Sequence, residues 1–497
     1  MELFEHQKIG IEFLKKTKKA ILADEMGLGK TKQAVMAAGE ESEDGVIIIC
    51  PASLKINWAR EILSVYPDAN IKIINSDDTF QGLIPKWFII NYDILEKKTE
   101  LIKRIIESGA RTLILDEVHY IKGNSVRAMC VVGGRKKKED GTILKTEGIA
   151  SKMERVYCLT GTPLLNRPIE MFNLLKAIGH RLGEVRGYYS KRYCGAFTRS
   201  MYIRKFKRMI YFTDESGATN LDELREQLKG VMIRRKKKDV LDLPEKIISI
   251  MECDLNAEWK KTYDNAWDYY MEFLKMNPMP ERNIDNILMA RQLVEIQKLK
   301  QVCSKSKVER MVTDIESAIE QGEKVIVFTQ YTETLKMIAQ KTAELKFEVG
   351  TDAFGKPKKE KIGVVTLSGE DDMDERQKAV DQFQKDPTTK VFVANIKAGG
   401  VGLTLTAGSI VMFADMEWSP EIHKQAEDRA HRIGQGGTVN VYYYIAAGTI
   451  EEDIVEILNS KKNIMDQVLE GGKKRLRKSS VQEEFLKLMA KKADVHK

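Results

Sequence analysis

Short, nearly continuous apolar runs rich in β-branched residues alternate with segments of helical spacing over residues 1–166. The runs are Ala20–Ala23, Val46–Cys50, Ile71–Ile74, Phe88–Tyr92, Thr112–Leu115 and Val156–Leu159. Strands buried on both faces of a parallel sheet read this way, because neither face turns polar. The texture returns at Val325–Phe328, Val364–Leu367, Val391–Ala394, Ile410–Phe413 and Val439–Tyr444. Two α/β lobes are predicted, each a parallel sheet covered by helices.

Between the lobes the chain is richer in Lys, Glu, Met and Leu. Leu221, Leu224 and Leu228 fall at i, i+3 and i+7, on one helix face. Asn256–Val302 is patterned as helix, with a break near Pro278 and Pro280. The expected order is a first lobe over 1–166, its helical insertion over 167–233 and a basic linker over 234–250. A second helical insertion over 251–308, a second lobe over 309–449 and a helical, basic tail over 450–497 follow. Gly133–Gly148, with its Asp-Gly turn signal, reads as an inserted basic hairpin.

Composition removes several classes of protein. A chain of 497 residues, 43% hydrophobic and 31% charged, is too long for one core and too apolar for disorder. It contains no apolar run of the ~18 residues a membrane helix needs, and its acidic start lacks a signal-like stretch. The six cysteines form no C-x-x-C pair, which argues against zinc ribbons and disulfides. A reducing, cytoplasmic compartment fits. Net charge is +8, with basic runs at Arg135–Lys138, Arg234–Lys238 and Lys473–Lys478. Charge alone reads equally as a polyanion-binding surface and as solvated surface.

Asp24-Glu-Met-Gly-Leu-Gly-Lys-Thr31 follows a predicted strand and opens a predicted helix. That order turns backbone N–H groups and a helix N-terminus toward phosphates. Gly27 and Gly29 admit close approach, Lys30 supplies charge to the β- and γ-phosphates, and Thr31 offers a magnesium ligand. Asp24 occupies the place of the usual first glycine. Leu113-Ile-Leu-Asp-Glu-Val-His119 is an apolar strand ending in two carboxylates. There Asp116 suits Mg²⁺ and Glu117 suits the attacking water. Both elements in one lobe, in this order, point to nucleoside triphosphate hydrolysis. Gln425–Gln435 places Arg429 and Arg432 three apart on a predicted helical face, as arginine fingers or as a salt-bridged surface pair.

This ordered set resembles the Swi/Snf-like ATPases of helicase superfamily 2 over nearly the whole chain. Leu3–Leu14 with Gln7 looks like the adenine-reading Q motif, Asp24–Thr31 like motif I, Cys50–Trp58 like motif Ia and Asp116–His119 like motif II. Leu159–Pro163 resembles motif III, Val325–Tyr331 motif IV, Ala398–Thr406 motif V and Gln425–Gln435 motif VI. The resemblance implies two RecA-like lobes with helical insertions. It also implies nucleotide contacts from Gln7, Asp24, Gly402, Arg429 and Arg432, with the two arginines as fingers when the lobes close. Nucleic-acid contacts fall to Ser53, Lys55, Tyr92, Gln330, Lys397 and Thr404. The tail from Ile450 resembles the family's brace, a helix returning to the first lobe.

Thr162–Glu170, Arg192–Gly195, Ser216–Leu221 and Met232–Leu241 resemble the annealing-helicase, fork-remodelling branch. A monomeric, ATP- and magnesium-dependent motor on double-stranded or forked DNA is therefore expected. An unwinding helicase of the same superfamily, on RNA or DNA, is the nearest rival. A nucleotide-gated DNA-binding scaffold without turnover is a rival of another class, against which all five catalytic candidates stand. The compact build points to a bacterial or phage origin.

Overall fold

The computed structural model describes all residues except 1–2, 42–43, 77, 79–84, 122, 124, 138–142, 162–167, 204–207, 216, 278–285, 352–356, 400–402, 470–480 and 496–497. Two units make up the chain. The first is Met1–Asp242 with Val468–Lys478, and the second is Leu243–Gln467 with Ser479–Lys497.

In the first unit the predicted apolar runs become strands of one seven-stranded sheet. Its order is Met232–Ile233, Lys19–Leu22, Arg155–Leu159, Ala110–Leu115, Gly45–Cys50, Trp87–Asn91 and Ile71–Ile73, with every pairing parallel. Val46–Cys50 and Leu113–Leu115 are buried on both faces, as continuous apolar runs require. Parallel pairing puts the C-terminal ends of all these strands at one edge. The segments after Leu22, Cys50, Asn91, Leu115, Leu159 and Ile233 therefore leave the sheet side by side, where α/β folds build sites.

The second unit repeats the plan. Six parallel strands run in the order Lys246–Cys253, Val439–Ala446, Ile410–Phe413, Val325–Thr329, Thr389–Asn395 and Gly363–Leu367. Two long helices, Ala257–Met276 and Asn286–Ser306, pack with Ile450–Leu469 and Val481–Val495 around Tyr270, Leu299, Ile454 and Phe485. The Asn256 side chain caps the first of these helices by accepting from the Trp259 N–H.

Several expectations change. The linker expected over 234–250 is structured at both ends. Arg235 belongs to the first unit, and Lys246–Cys253 is a full edge strand of the second sheet. The segment 167–233 is not purely helical, because it carries an antiparallel ribbon of Phe197–Ile203 and Arg208–Asp214. Another small ribbon, Lys346–Thr351 with Pro357–Lys361, was also unforeseen.

The tail helix from Ile450 buries Ile454 and Leu458 in the core of the second unit, and Val468–Lys478 falls with the first unit. Its anchor is electrostatic. Lys307 and Glu451, both fully buried, pair at 2.6 Å, and the Ala446 N–H donates to the same carboxylate at 2.8 Å. The basic hairpin is present as Gly134–Lys137 paired with Ile143–Thr146. Lys473–Lys478, Pro278 and Pro280, Gly402, Ser216 and 162–167 lie outside the described residues. Among the described residues no helix is long and apolar enough to cross a membrane.

Candidate nucleotide-binding site

The loop after Lys19–Leu22 runs into the Lys30–Glu41 helix, so its backbone faces the sheet's C-terminal edge. Gly27 (φ 81°) and Gly29 (φ 71°) hold left-handed conformations that side chains resist. A Cβ on Gly29 would stand 2.4 Å from the Gln7 amide nitrogen, so glycine there lets Gln7 close on the loop. Gln7 is buried, and its amide oxygen accepts from the Phe4 N–H at 3.1 Å. Neighbouring His6 lies 3.2 Å from the Leu28 carbonyl, and burial lowers its pKa.

Lys30 is half-buried. Its ammonium donates to the carbonyls of Asp24 at 2.8 Å and Glu25 at 3.2 Å. A Cβ on Gly161, in the segment leaving the Arg155–Leu159 strand, would be 3.5 Å from that ammonium. Thr31 follows at the second position of the helix, half-buried. Asp24 is fully buried, and Arg235 holds its carboxylate through Nε at 2.9 Å and Nη2 at 2.5 Å, with the Arg235 N–H adding a bond at 3.1 Å. Arg235 also reaches Gln33 at 2.9 Å and the His6 carbonyl, while the Lys237 N–H donates to Glu25 at 2.8 Å.

Across the edge, Asp116 ends the Ala110–Leu115 strand. Trp58 Nε1 donates to its Oδ2 at 2.8 Å and the Glu117 N–H to its Oδ1 at 2.9 Å, so both oxygens are oriented. Burial first, and the adjacent Glu117 charge second, push the Asp116 carboxyl up to about 6. Trp58 and Lys30 act in the opposite direction, which places Lys30 within electrostatic reach. Glu117 adopts φ 48°, a conformation uncommon for a residue with a side chain, and His119 Nδ1 lies 3.3 Å from its carboxylate. Two crowded carboxylates at a strand end favour a bound cation. Thr31 and Asp116 fit magnesium, which takes one or two protein oxygens and fills its shell from phosphates and water. Among the described residues no cluster of three or more acidic, His or Cys groups could hold a metal ion.

Arg429 and Arg432 lie in the second unit. The helix bearing Arg429 ends at Ala430, so Arg432 sits beyond it and the pair does not share a helical face. The chain turns at Arg432, whose N–H donates to the Ala430 carbonyl at 3.1 Å, and Gly434 takes φ 99°. Both arginines instead touch the 403–405 segment. Arg432 Nη1 donates to the Leu403 carbonyl at 3.3 Å, and the Leu405 N–H donates to the Arg429 carbonyl at 2.9 Å.

The expected nucleic-acid contacts separate into two groups. Lys55 is buried and donates to Asn75 at 2.7 Å and the Ile74 carbonyl at 3.1 Å. Tyr92 is buried too, with its hydroxyl donating to the Asp116 carbonyl at 2.8 Å. Both are used inside the lobe, and Tyr92 steadies the site. Gln330 donates to the Met416 carbonyl at 2.6 Å. Ser53 and Thr404 are half-buried, and Lys397 is 74% exposed beside Glu417 at 2.9 Å. Sequence reasoning missed Trp58 as an Asp116 partner and Arg235 as the Asp24 partner. Both stood inside motifs it had marked.

The SNF2-related domain family matches residues 6–308, most of the chain. The chain belongs to the SNF2-related, helicase-type ATPases. A helicase conserved C-terminal domain matches residues 306–434, as the SNF2 arrangement of two lobes requires. The DNA annealing helicase and endonuclease ZRANB3 of Bos taurus is 32% identical over 96% of this chain and 41% of its own length. An uncharacterized ATP-dependent helicase, MG018, of Mycoplasma genitalium is 28% identical over 94% of this chain and 42% of its own. A solved Sulfolobus solfataricus SWI2/SNF2 ATPase core in complex with dsDNA is 22% identical, covering 95% of this chain and 94% of that one, with a TM-score of 0.40. The chain spans about two fifths of the length of the first curated relatives. SNF2-related matches from cattle to a mycoplasma do not support the expected bacterial or phage origin.

Proposed function

We propose that this SNF2-family chain is an ATP-driven translocase on double-stranded DNA that acts on forked DNA. The observation that carries the reading is the Asp116–Glu117 pair, oriented by Trp58 and within electrostatic reach of Lys30, at one edge of a parallel sheet. The names of two relatives, a DNA annealing helicase and an ATP-dependent helicase, support DNA and ATP as track and fuel.

In this mechanism Lys30 exchanges the Asp24 and Glu25 carbonyls for β- and γ-phosphate oxygens. Thr31 and Asp116 would hold magnesium, which would supply charge neutralisation to the triphosphate. Glu117 orients a water and accepts its proton as the oxygen attacks the γ-phosphorus. The β–γ bridging bond breaks, and ADP and phosphate leave. Arg429 and Arg432 stabilise charge on the transferred group. Loss of the γ-phosphate removes the anion that these cations share, which ends one stroke. Phosphate-backbone contacts from Ser53, Lys397 and Thr404 carry no sequence information, so binding is sequence-tolerant and weakened by salt.

ATP hydrolysis measured with duplex DNA, forked DNA, single-stranded DNA and RNA tests the reading. Strongest stimulation by DNA containing a duplex supports it. Stimulation by RNA alone replaces it with an RNA helicase, and hydrolysis indifferent to every polynucleotide overturns it.

A further inference from the structure

Glu427 has no part in the chemistry described above, yet it is buried inside the segment that carries Arg429 and Arg432. It stands on the Pro420–Ala430 helix, two positions before Arg429, with its side chain 7% exposed. Lys246 Nζ meets one carboxylate oxygen at 2.6 Å, and the Tyr443 hydroxyl donates to the other at 2.6 Å. Neither partner is loose. Tyr443 stacks on Phe413, with ring centroids 4.6 Å apart and planes 6° from parallel. Lys246 opens the edge strand of the second sheet, in register with Val439.

A second tie lies just past the helix. His431 Nε2 is 2.9 Å from the carbonyl of Pro244, two residues before Lys246. The short stretch Pro244–Lys246 therefore holds the chain at Glu427 and again at His431. Arg429 lies between these ties, and Arg432 directly follows the second. A buried ion pair adds little net stability over apolar packing and serves instead to specify one arrangement. Here that arrangement is the turn bearing two cations. A cation held in advance stabilises developing charge without reorganising at the moment of reaction.

We propose that Lys246 and Glu427 are positioning residues for hydrolysis: their ion pair, with the His431 tie, pre-orders the turn bearing Arg429 and Arg432 for the transferred phosphoryl group. The inference rests on the finger role given to those arginines and adds what holds them.

Three measurements test it together: single-turnover hydrolysis with duplex DNA, ATP affinity, and affinity for ADP with aluminium fluoride, a mimic of the phosphoryl group in transfer. The double variant Lys246→Met, Glu427→Gln strands no charge, and its amide oxygen still accepts from Tyr443, so it should melt close to the parent. Its hydrolysis should nevertheless slow about 10- to 100-fold, the scale of misplacing a group by about 1 Å. ATP affinity should change less than about twofold, while affinity for the mimic falls by the same factor as the rate. Glu427→Gln alone is expected to show the same pattern at the lower end of that range. Rates are read on ATP-bound chain, so an unfolded fraction does not enter them. Parent-like rate and mimic affinity in the double variant overturn the proposal. Equal loss of ATP and mimic affinity does so too, because it marks a merely structural pair. Arg432→Ala in the same assays keeps the two readings apart. If it hydrolyses like the parent, the finger role itself fails. An impaired Arg432→Ala beside an undiminished double variant removes only the positioning role.

Discussion

Arg235 holds both carboxylate oxygens of Asp24, although 211 positions separate the two in the chain. The pair is almost wholly enclosed, at 12% and 0% side-chain exposure. Asp24 stands where phosphate loops usually begin with glycine, and its charge is answered by the strand-end segment that leads out of the first unit.

Removing one partner of such a pair strands a buried charge. Arg235→Ala is expected to destabilise the first unit by about 3–5 kcal/mol and to weaken ATP binding, since the loop loses its anchor. Arg235→Lys keeps the charge but not the fork geometry and should fall between. Thermal unfolding with nucleotide titration reads both effects, and an Arg235→Ala chain as stable as the parent would contradict the clasp.

Lys30→Ala should lower turnover by at least about 100-fold, the scale of losing a charge-stabilising donor, with an unchanged melting temperature. Glu117→Gln should bind ATP and hydrolyse it slowly by a similar factor. For Arg432→Ala the loss should fall on kcat, by about a thousandfold, with KM nearly constant. Single-turnover kinetics separate the three, and undiminished hydrolysis in any of them removes that residue from its role.

Acid should slow the enzyme through Asp116. With its carboxyl at about 6, the group takes a proton as pH falls below that value and loses its charge for magnesium. Turnover should therefore decline between pH 7 and pH 5. Raising magnesium should move the decline to lower pH, because a nearby cation favours the charged form. The stability sign is opposite. The folded value exceeds the ordinary 3.8, so this group's favourable contribution is lost as pH rises through about 6. Profiles of kcat/KM against pH at two magnesium concentrations decide the matter, and an acid limb that ignores magnesium speaks against Asp116 as a ligand.

In the second unit Lys307→Met should leave Glu451 uncompensated and lower the melting temperature on the order of 10 °C. Adding Glu451→Gln should recover much of that loss, since an amide oxygen still accepts from the Ala446 N–H. Calorimetry of single and double variants measures the recovery, and a double variant no more stable than the single one would show that the pair is not the anchor.

Much of this was legible in the sequence because it is local. The apolar runs at Val46–Cys50 and Thr112–Leu115 fixed strands to within two residues, and the phosphate loop and acidic pair follow directly from strands that end there. Burial and distant partners were not legible. Lys55 and Tyr92 read as surface contacts because nothing nearby in the chain shows that Asn75 and the Asp116 carbonyl receive them. The Arg429–Arg432 spacing suggested continuous helix because no breaker precedes Gly434, yet the helix stops at Ala430. Met232–Ile233 was too short to register as a strand, and Lys246–Cys253 follows directly on a charged stretch.

That last strand has a consequence for biosynthesis. Lys246–Cys253 emerges early from the ribosome, but its parallel neighbour is Val439–Ala446. The nascent chain must therefore carry an unpaired edge, with exposed Ile247, Ile248 and Ile250, until almost the whole second half has been translated. A gene fragment started at the sequence-family boundary near 306 would omit this strand altogether. Expressed alone, such a piece should aggregate, whereas one begun at Leu243 carries every strand of its sheet.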